Sequence, residues 1–186
     1  ALMVGDFNAN FGQGLIMHSG FGAGKSSFVT DVKRSGNPLR PYTSVEENNF
    51  LRGVGITLKP ADNFTITVLG SHHNRDGNLT IDTVYEDGQI ENIGEDITSL
   101  QTSNLHRTEA EIEDEDAIDL TQGGISVSYT NRRAHLAING LHSRLSVPLN
   151  RNPELYNQYY FNGDNLTNAS LDYGLWFGGL HFFGET

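Results

Sequence analysis

The chain has no cysteine, which excludes a disulfide framework and any thiolate metal site. It has no apolar run near the roughly 18 residues a transmembrane helix needs. No cationic-then-apolar leader opens it. Apolar residues make up only 37%, below the norm of about 45–50%. Positive charge is scarce: 12 Lys and Arg stand against 23 Asp and Glu, a net charge of −11. The imbalance is local. Residues 76–119 hold 14 of the acids and one base, Arg107, so that stretch carries −13 and the other 142 residues +2. Nucleic-acid binding needs clustered positive charge to displace phosphate counterions, so no nucleic-acid partner is expected. The acidic stretch also lacks the D-x-[DN]-x-[DN]-G order of an EF-hand.

What is abundant is glycine, 21 residues, and aromatics, 10%. Both sit in stretches that alternate. Val54, Ile56 and Leu58 interleave with Gly53, Gly55 and Thr57; past Pro60, Asp62 and Asn63, Phe64, Ile66 and Val68 interleave with Thr65 and Thr67. Ile125, Val127 and Tyr129 repeat the design before Thr130-Asn131-Arg132-Arg133, and Ala134, Leu136 and Ile138 after it, with Ser126, Ser128, His135 and Asn139 on the other face. In the N-terminal stretch Met3, Phe7, Ala9, Phe11, Leu15 and Met17 share one parity, with Asp6, Asn8, Asn10, Gly12 and Gly14 on the other. Near the C-terminus Tyr173, Leu175 and Phe177 oppose Asp172, Gly174 and Gly178. Period-2 patterning predicts strands, here six: roughly 2–18, 48–60, 63–74, 122–131, 133–146 and 169–185.

The connections alternate between tight turns and long loops at 19–47, 75–121 and 147–168. Structureless loops beyond about 12–15 residues are uncommon in compact domains. Short turns at one end and long loops at the other are the plan of an antiparallel up-and-down transmembrane β-barrel. In hydrocarbon no water satisfies the backbone, so a spanning sheet must close on itself, with one face toward lipid and the other toward a lumen. Six strands fall short of the usual minimum of eight. The sequence therefore reads as an internal segment of a larger outer-membrane barrel, residues 1–186, with 75–121 as its acidic extracellular loop. Within that loop, Thr108-Glu109-Ala110-Glu111 is a capping box that predicts a short helix over 108–118, and Asp87-Gly88 suits a hairpin turn. Such a loop serves either as a lid or plug or as external decoration.

Several motifs resemble chemistry without carrying it. Ser19-Gly20-Phe21-Gly22-Ala23-Gly24-Lys25-Ser26 has Ser19 where a phosphate-binding loop needs glycine, and no amphipathic helix follows. His72 and His73 are adjacent, so on a strand they point to opposite faces. His18, His135, His142 and His181 fall on different strands with no metal-ligand spacing. No Gly-x-Ser-x-Gly elbow occurs. Asp6, His135 and Asp172 are the residues from which a lumenal hydrolase would be built, but no nucleophile–base pair stands out, and no catalysis, metal or cofactor is inferred. Tyr156, Tyr159, Tyr160 and Phe161 cluster in the last long loop. They read either as a stacking platform for sugar or peptide, or as an aromatic belt packing on its own barrel.

The ordered blocks Gly5-Asp6-Phe7, Phe11-Gly12-Gln13-Gly14-Leu15, Leu39-Arg40-Pro41-Tyr42-Thr43-Ser44-Val45-Glu46-Glu47-Asn48, Phe50-Leu51-Arg52-Gly53, Leu105-His106-Arg107-Thr108-Glu109, Ser170-Leu171-Asp172-Tyr173 and Phe182-Phe183-Gly184-Glu185 span nearly the whole chain. In these blocks it resembles the barrel portion of a Bacteroidetes outer-membrane family labelled helix-hairpin-helix or ComEA-like. The resemblance implies a β-barrel in the bacterial outer membrane and no enzyme activity. The expected function is structural or transport, alone or as a subunit of a larger outer-membrane assembly. The expected partners are outer-membrane lipid and other outer-membrane or periplasmic proteins. The alternative is a surface module that binds glycan or peptide through its long loops.

Overall fold

The computed structural model describes residues 1–19, 33–34, 36–44, 49–86, 89–100, 107–150, 155 and 158–186; for 81–86, 89–95 and 110 it describes the backbone alone. Among the described residues the chain is all-β, antiparallel apart from a single parallel bridge between Ile97 and Leu149, with one five-residue helix. The strands are β1 (Leu2–Ala9), β2 (Leu39–Pro41), β3 (Leu51–Ala61), β4 (Phe64–Arg75), β5 (Gly77–Glu86), β6 (Gln89–Leu100), β7 (Ile118–Thr130), β8 (Ala134–Leu149), β9 (Gly163–Phe177) and β10 (Leu180–Glu185); helix α1 is Glu109–Glu113. Strand order is β10-β9-β8-β7-β4-β3-β1-β2, with β5 and β6 paired off this path. Register is fixed by pairs such as Val4↔Val54, Ile56↔Val68 and Phe182↔Leu175.

Among the described residues there are ten strands instead of the six expected; β2 falls inside the expected loop 19–47, and three further departures have local causes. First, the N-terminal strand stops at Ala9 instead of 18. Gly12 (φ 54°) and Gly14 (φ 85°) take left-handed conformations that L side chains avoid. The chain folds back there as a hairpin, with the Phe11 N–H donating to the Met17 carbonyl (3.1 Å) and the Ser19 N–H to the Ala9 carbonyl (3.0 Å). Second, the 169–185 strand is two strands. Gly178 (φ 61°) and Gly179 turn the chain between β9 and β10, as adjacent glycines readily do. Third, the expected loop 75–121 contains the long β5–β6 hairpin, paired out to Glu86 and Gln89; Asp87-Gly88, where the sequence suits a turn, lie outside the described residues.

The chain forms two compact units. Unit 1 is residues 1–72, 122–142 and 167–186; unit 2 is residues 73–121 and 143–166. Unit 1 buries Phe7, Ala9, Phe11, Met17, Leu39, Leu51, Leu69 and Leu141 in one cluster. The parity of Met3, Phe7 and Ala9 thus faces inward, and Asp6 lies on the outer face bonded to Arg52 at 2.8 Å. Gly124 makes room for the cluster: a methyl there would stand 3.1 Å from the Phe11 ring and from Leu69.

Unit 2 packs Ile97, Ile118, Leu145 and Leu149 against Leu79, Leu100, Ala117, Leu120, Val147 and Phe161. Gly77 opens the β5–β6 hairpin where a methyl would collide with Ile118 Cδ1. The capping box forms as the sequence predicts: the Glu111 N–H donates to Thr108 Oγ1 (3.2 Å), and Glu111 Oε2 accepts from the Thr108 (3.1 Å) and Arg107 (2.8 Å) N–H groups. The helix is shorter than the expected 108–118. Asp116 adopts φ 52°, its N–H donates to Asp76 Oδ1 (3.0 Å), and the chain enters β7 at Ile118.

Candidate functional site

Unit 1 inverts the polarity of a water-soluble sheet. On β4, β7, β8 and β9 within it the exposed parity is mainly apolar, and the buried parity is mixed, with polar residues beside members of the apolar cluster. Ile138 is 67% exposed while its neighbour Asn139 is 1% exposed. The same holds for Leu171 and Leu175 beside buried Ser170 and Asp172 on β9, and for Val68 beside buried Thr67 on β4. Leu2 and Val4 on β1, Val54 and Leu58 on β3, Ile125 and Val127 on β7, and Leu180 and Phe182 on β10 extend the exposed apolar rows. Phe64 and Tyr129 pack together on this sheet near the tight turns, ring centres 5.0 Å apart and planes tilted by 55°. Unit 2 has ordinary polarity: Asp119 and Thr121 of β7, and Arg144 and Ser146 of β8, are exposed, and their neighbours Ile118 and Leu145 are buried.

The inner face of unit 1 is a connected polar network. Asn139 Oδ1 accepts from Ser126 Oγ (2.7 Å), and its amide nitrogen donates to Ser170 Oγ (3.1 Å) and Glu185 Oε1 (3.4 Å). Ser170 Oγ also donates to Glu185 Oε1. Glu185 Oε2 accepts from the Gln13 (2.8 Å) and Leu15 (3.0 Å) backbone N–H groups, so β10 holds the 10–18 hairpin by its turn. Gly12 permits this approach, since a methyl there would sit 2.8 Å from the Glu185 carboxylate. Gln13, Gly14, Leu15, Phe183, Gly184 and Glu185 line an open cleft of about 400 Å³ at the same place.

A second chain of bonds runs through His135. Its Nε2 lies 2.8 Å from Asp172 Oδ2 and its Nδ1 lies 2.8 Å from Thr130 Oγ1. An ionised carboxylate can only accept, so the Nε2–H donates to it, which leaves Nδ1 to accept from the hydroxyl. The pairing satisfies a carboxylate that is 3% exposed, and Gln13 Nε2 reaches its other oxygen at 3.5 Å. Of the lumenal trio the sequence suggested, His135 and Asp172 therefore meet, and Asp6 stands apart on the outer face. Beside them Trp176 stacks on His181 (centres 4.3 Å apart, 10° between planes), with Lys33 Nζ 4.9 Å from the Trp176 ring. At the base of the hairpin, burial first and then Arg34 and Arg40 hold the His18 imidazole below its ordinary pKa of 6.5.

The loop aromatics do not form one platform. Tyr159 and Tyr160 are exposed, Phe161 packs against the unit 2 cluster, and Tyr156 lies outside the described residues. The Gly-rich stretch 20–32 lies outside them too. His72 is exposed and His73 buried, on opposite faces as expected. Among the described residues no group of three or more His, Asp or Glu is placed to hold a metal, and no helix is long and apolar enough to cross a membrane, which says nothing of strands.

Glu185 is the site residue that sequence reasoning missed. Its role depends on a contact across 172 positions, and no local motif announces it. Comparison with known proteins gives no match: no family model, no curated protein and no solved structure matches the chain.

Proposed function

We propose that this chain is part of an outer-membrane β-barrel protein with a structural or transport role, alone or within a larger outer-membrane assembly. The observation that carries this reading is the inverted polarity of unit 1. Burying Asn139, Ser170 and Asp172 while exposing Ile138, Leu171 and Leu175 is costly in water. A fully exposed Leu or Ile forgoes about 1.5–3 kcal/mol of burial, and these, from under half to two-thirds exposed, forgo a corresponding part of it. In lipid the same arrangement is favourable: the apolar rows meet acyl chains, and the polar groups satisfy one another inside. Apolar outward residues reach from Ala169 to Phe177 on β9, nine residues, which matches the roughly 9–11 of a tilted spanning strand. Polar outward residues take over at Arg52, His72, Thr121, His142 and Thr167. Phe64 and Tyr129 suit the aromatic girdle at the opposite rim. The family resemblance in the sequence blocks points the same way. The partners are outer-membrane lipid and neighbouring outer-membrane or periplasmic proteins, and residues 76–119 face the cell exterior.

The test is fractionation of the native full-length protein with protease shaving of intact cells. Recovery in the outer membrane with cleavage inside 76–119 is the expected result. A protein released in the soluble fraction sinks the reading. It would favour a glycan- or peptide-binding module instead, for which the 92% exposed Tyr159, with Tyr160 beside it, is the supporting observation.

A further inference from the structure

The 10–18 hairpin is not a connection that happens to lie inside. Its apolar residues Phe11 and Met17 belong to the buried cluster of unit 1, with Phe11 against Gly124 and Leu69. Its turn presents two successive backbone donors, Gln13 N–H and Leu15 N–H, to a single carboxylate oxygen. Converging N–H groups of this kind, with glycines in left-handed conformations between and before them, form a nest that receives anions. The anion here is Glu185, on the far strand of the sheet order from β1. Its other oxygen is held by Ser170 and Asn139, so the carboxylate is positioned before the hairpin meets it.

We infer that the 10–18 hairpin is a removable plug of the unit 1 interior and that Glu185 is its latch. The inference rests on the barrel reading only in treating that interior as a passage; the latch itself stands on the geometry above. The asymmetry of the two attachments makes the hairpin separable. Phe11 and Met17 hold through apolar contact, which any apolar neighbour can replace, whereas the turn holds through one charged group with two N–H donors. The open cleft beside Gln13 and Glu185 gives solvent and small anions access to that bond.

The experiment is amide hydrogen exchange on the full-length protein, native and Glu185→Ala, with sodium acetate or the same concentration of sodium chloride. Exchange at Gln13 and Leu15 should rise at least about tenfold in the variant, the loss expected for a charge-assisted hydrogen bond. Ladder amides at Ile56 and Val68 should not change, and acetate, by refilling the nest, should restore protection that chloride does not. Unchanged exchange at both amides, or loosening that acetate fails to reverse, overturns the latch. If Glu185→Ala does not fold, Glu185→Gln keeps the side-chain length without the charge: faster exchange at both amides supports the latch and none refutes it. Conductance across a planar bilayer separates the two claims. More frequent opening in the variant supports the plug. A loosened hairpin with unchanged conductance overturns the plug and the passage it presumes, and leaves the latch standing.

Discussion

The outward face of β8 gives the most direct test of which solvent the sheet meets. Ile138 is 67% exposed, lies midway between the tight turn before Ala134 and the polar His142, and faces away from Asn139. Ile138→Arg therefore removes almost no packing. In water such a surface change shifts stability by no more than about 0.5 kcal/mol. In a bilayer an arginine near the midplane of a barrel strand costs about 2–4 kcal/mol. Four turns of the pleat along the same strand, Ser146 is also exposed among polar residues of unit 2, and its hydroxyl accepts from the Asp119 N–H (3.0 Å), so Ser146→Arg serves as the control with an expected loss of about 0.5–1.5 kcal/mol, that of one hydrogen bond. The assay is reversible guanidinium unfolding from liposomes, followed by Trp176, the only tryptophan. With a slope of about 3 kcal/mol per molar, a 3 kcal/mol loss moves the midpoint down by about 1 M in Ile138→Arg. Equal midpoints for the two variants, or a higher one for Ile138→Arg, would show that this face is wet and refute the reasoning.

Two further predictions concern the interior and the capped helix. Asn139→Ala strips Ser126, Ser170 and Glu185 of a shared partner on the inner face, so it should cost about 1–3 kcal/mol in the same titration, more than Leu136→Ala on the outer face of the strand, since lipid fills the space that the latter vacates. In unit 2 the Arg107 N–H first, then the Thr108 N–H and the Arg107 charge, hold the Glu111 carboxyl below its ordinary pKa of 4.5. A pKa lowered on folding contributes stability that is present above the unfolded value and lost as pH falls through the folded one. The Arg107 and Thr108 amides should therefore keep their exchange protection down to pH 4.5 and lose it only below; in Glu111→Gln that step should vanish from the profile of log exchange rate against pH.

The sequence announced what local patterns encode. Alternation at 54–58, 64–68, 125–129 and 134–138 located four strands and the right faces of two hairpins, because Pro60, Asp62, Asn63 and Asn131 confine the turns. Thr108 and Glu111 announced the helix start, because both partners of the box lie within four residues. It was mute where a conformation depends on distant partners. The alternation of the N-terminal stretch continues through Leu15 and Met17, so it reads as one long strand; only the left-handed Gly12 and Gly14, stabilised by Glu185, reveal a hairpin. At the C-terminus both faces turn apolar from Leu175 onward, which hides the Phe177-Gly178-Gly179-Leu180 turn that separates β9 from β10.

Parity also fails as a guide to environment when a strand changes environment along its length. On β8 the odd residues face inward throughout, yet they pass from His135 and Asn139 to Leu141, Leu145 and Leu149, while the even residues pass from Leu136 and Ile138 to His142, Arg144 and Ser146. β7 makes the same exchange, from Ser126 and Ser128 inside to Leu120 and Ile118, and from Ile125 and Val127 outside to Thr121 and Asp119. Each strand is continuous through the change; the chemical character of its two faces is what is exchanged. A strand of one amphipathic sense would have hidden the level at which this happens. The exchange marks that level on each strand separately, near Gly123 on β7 and Gly140 on β8, where a residue without a side chain faces outward and suits either medium. Within unit 1 alone, the outward residues Leu136 and Ile138 of β8 are the positions where an arginine should cost most in the liposome titration.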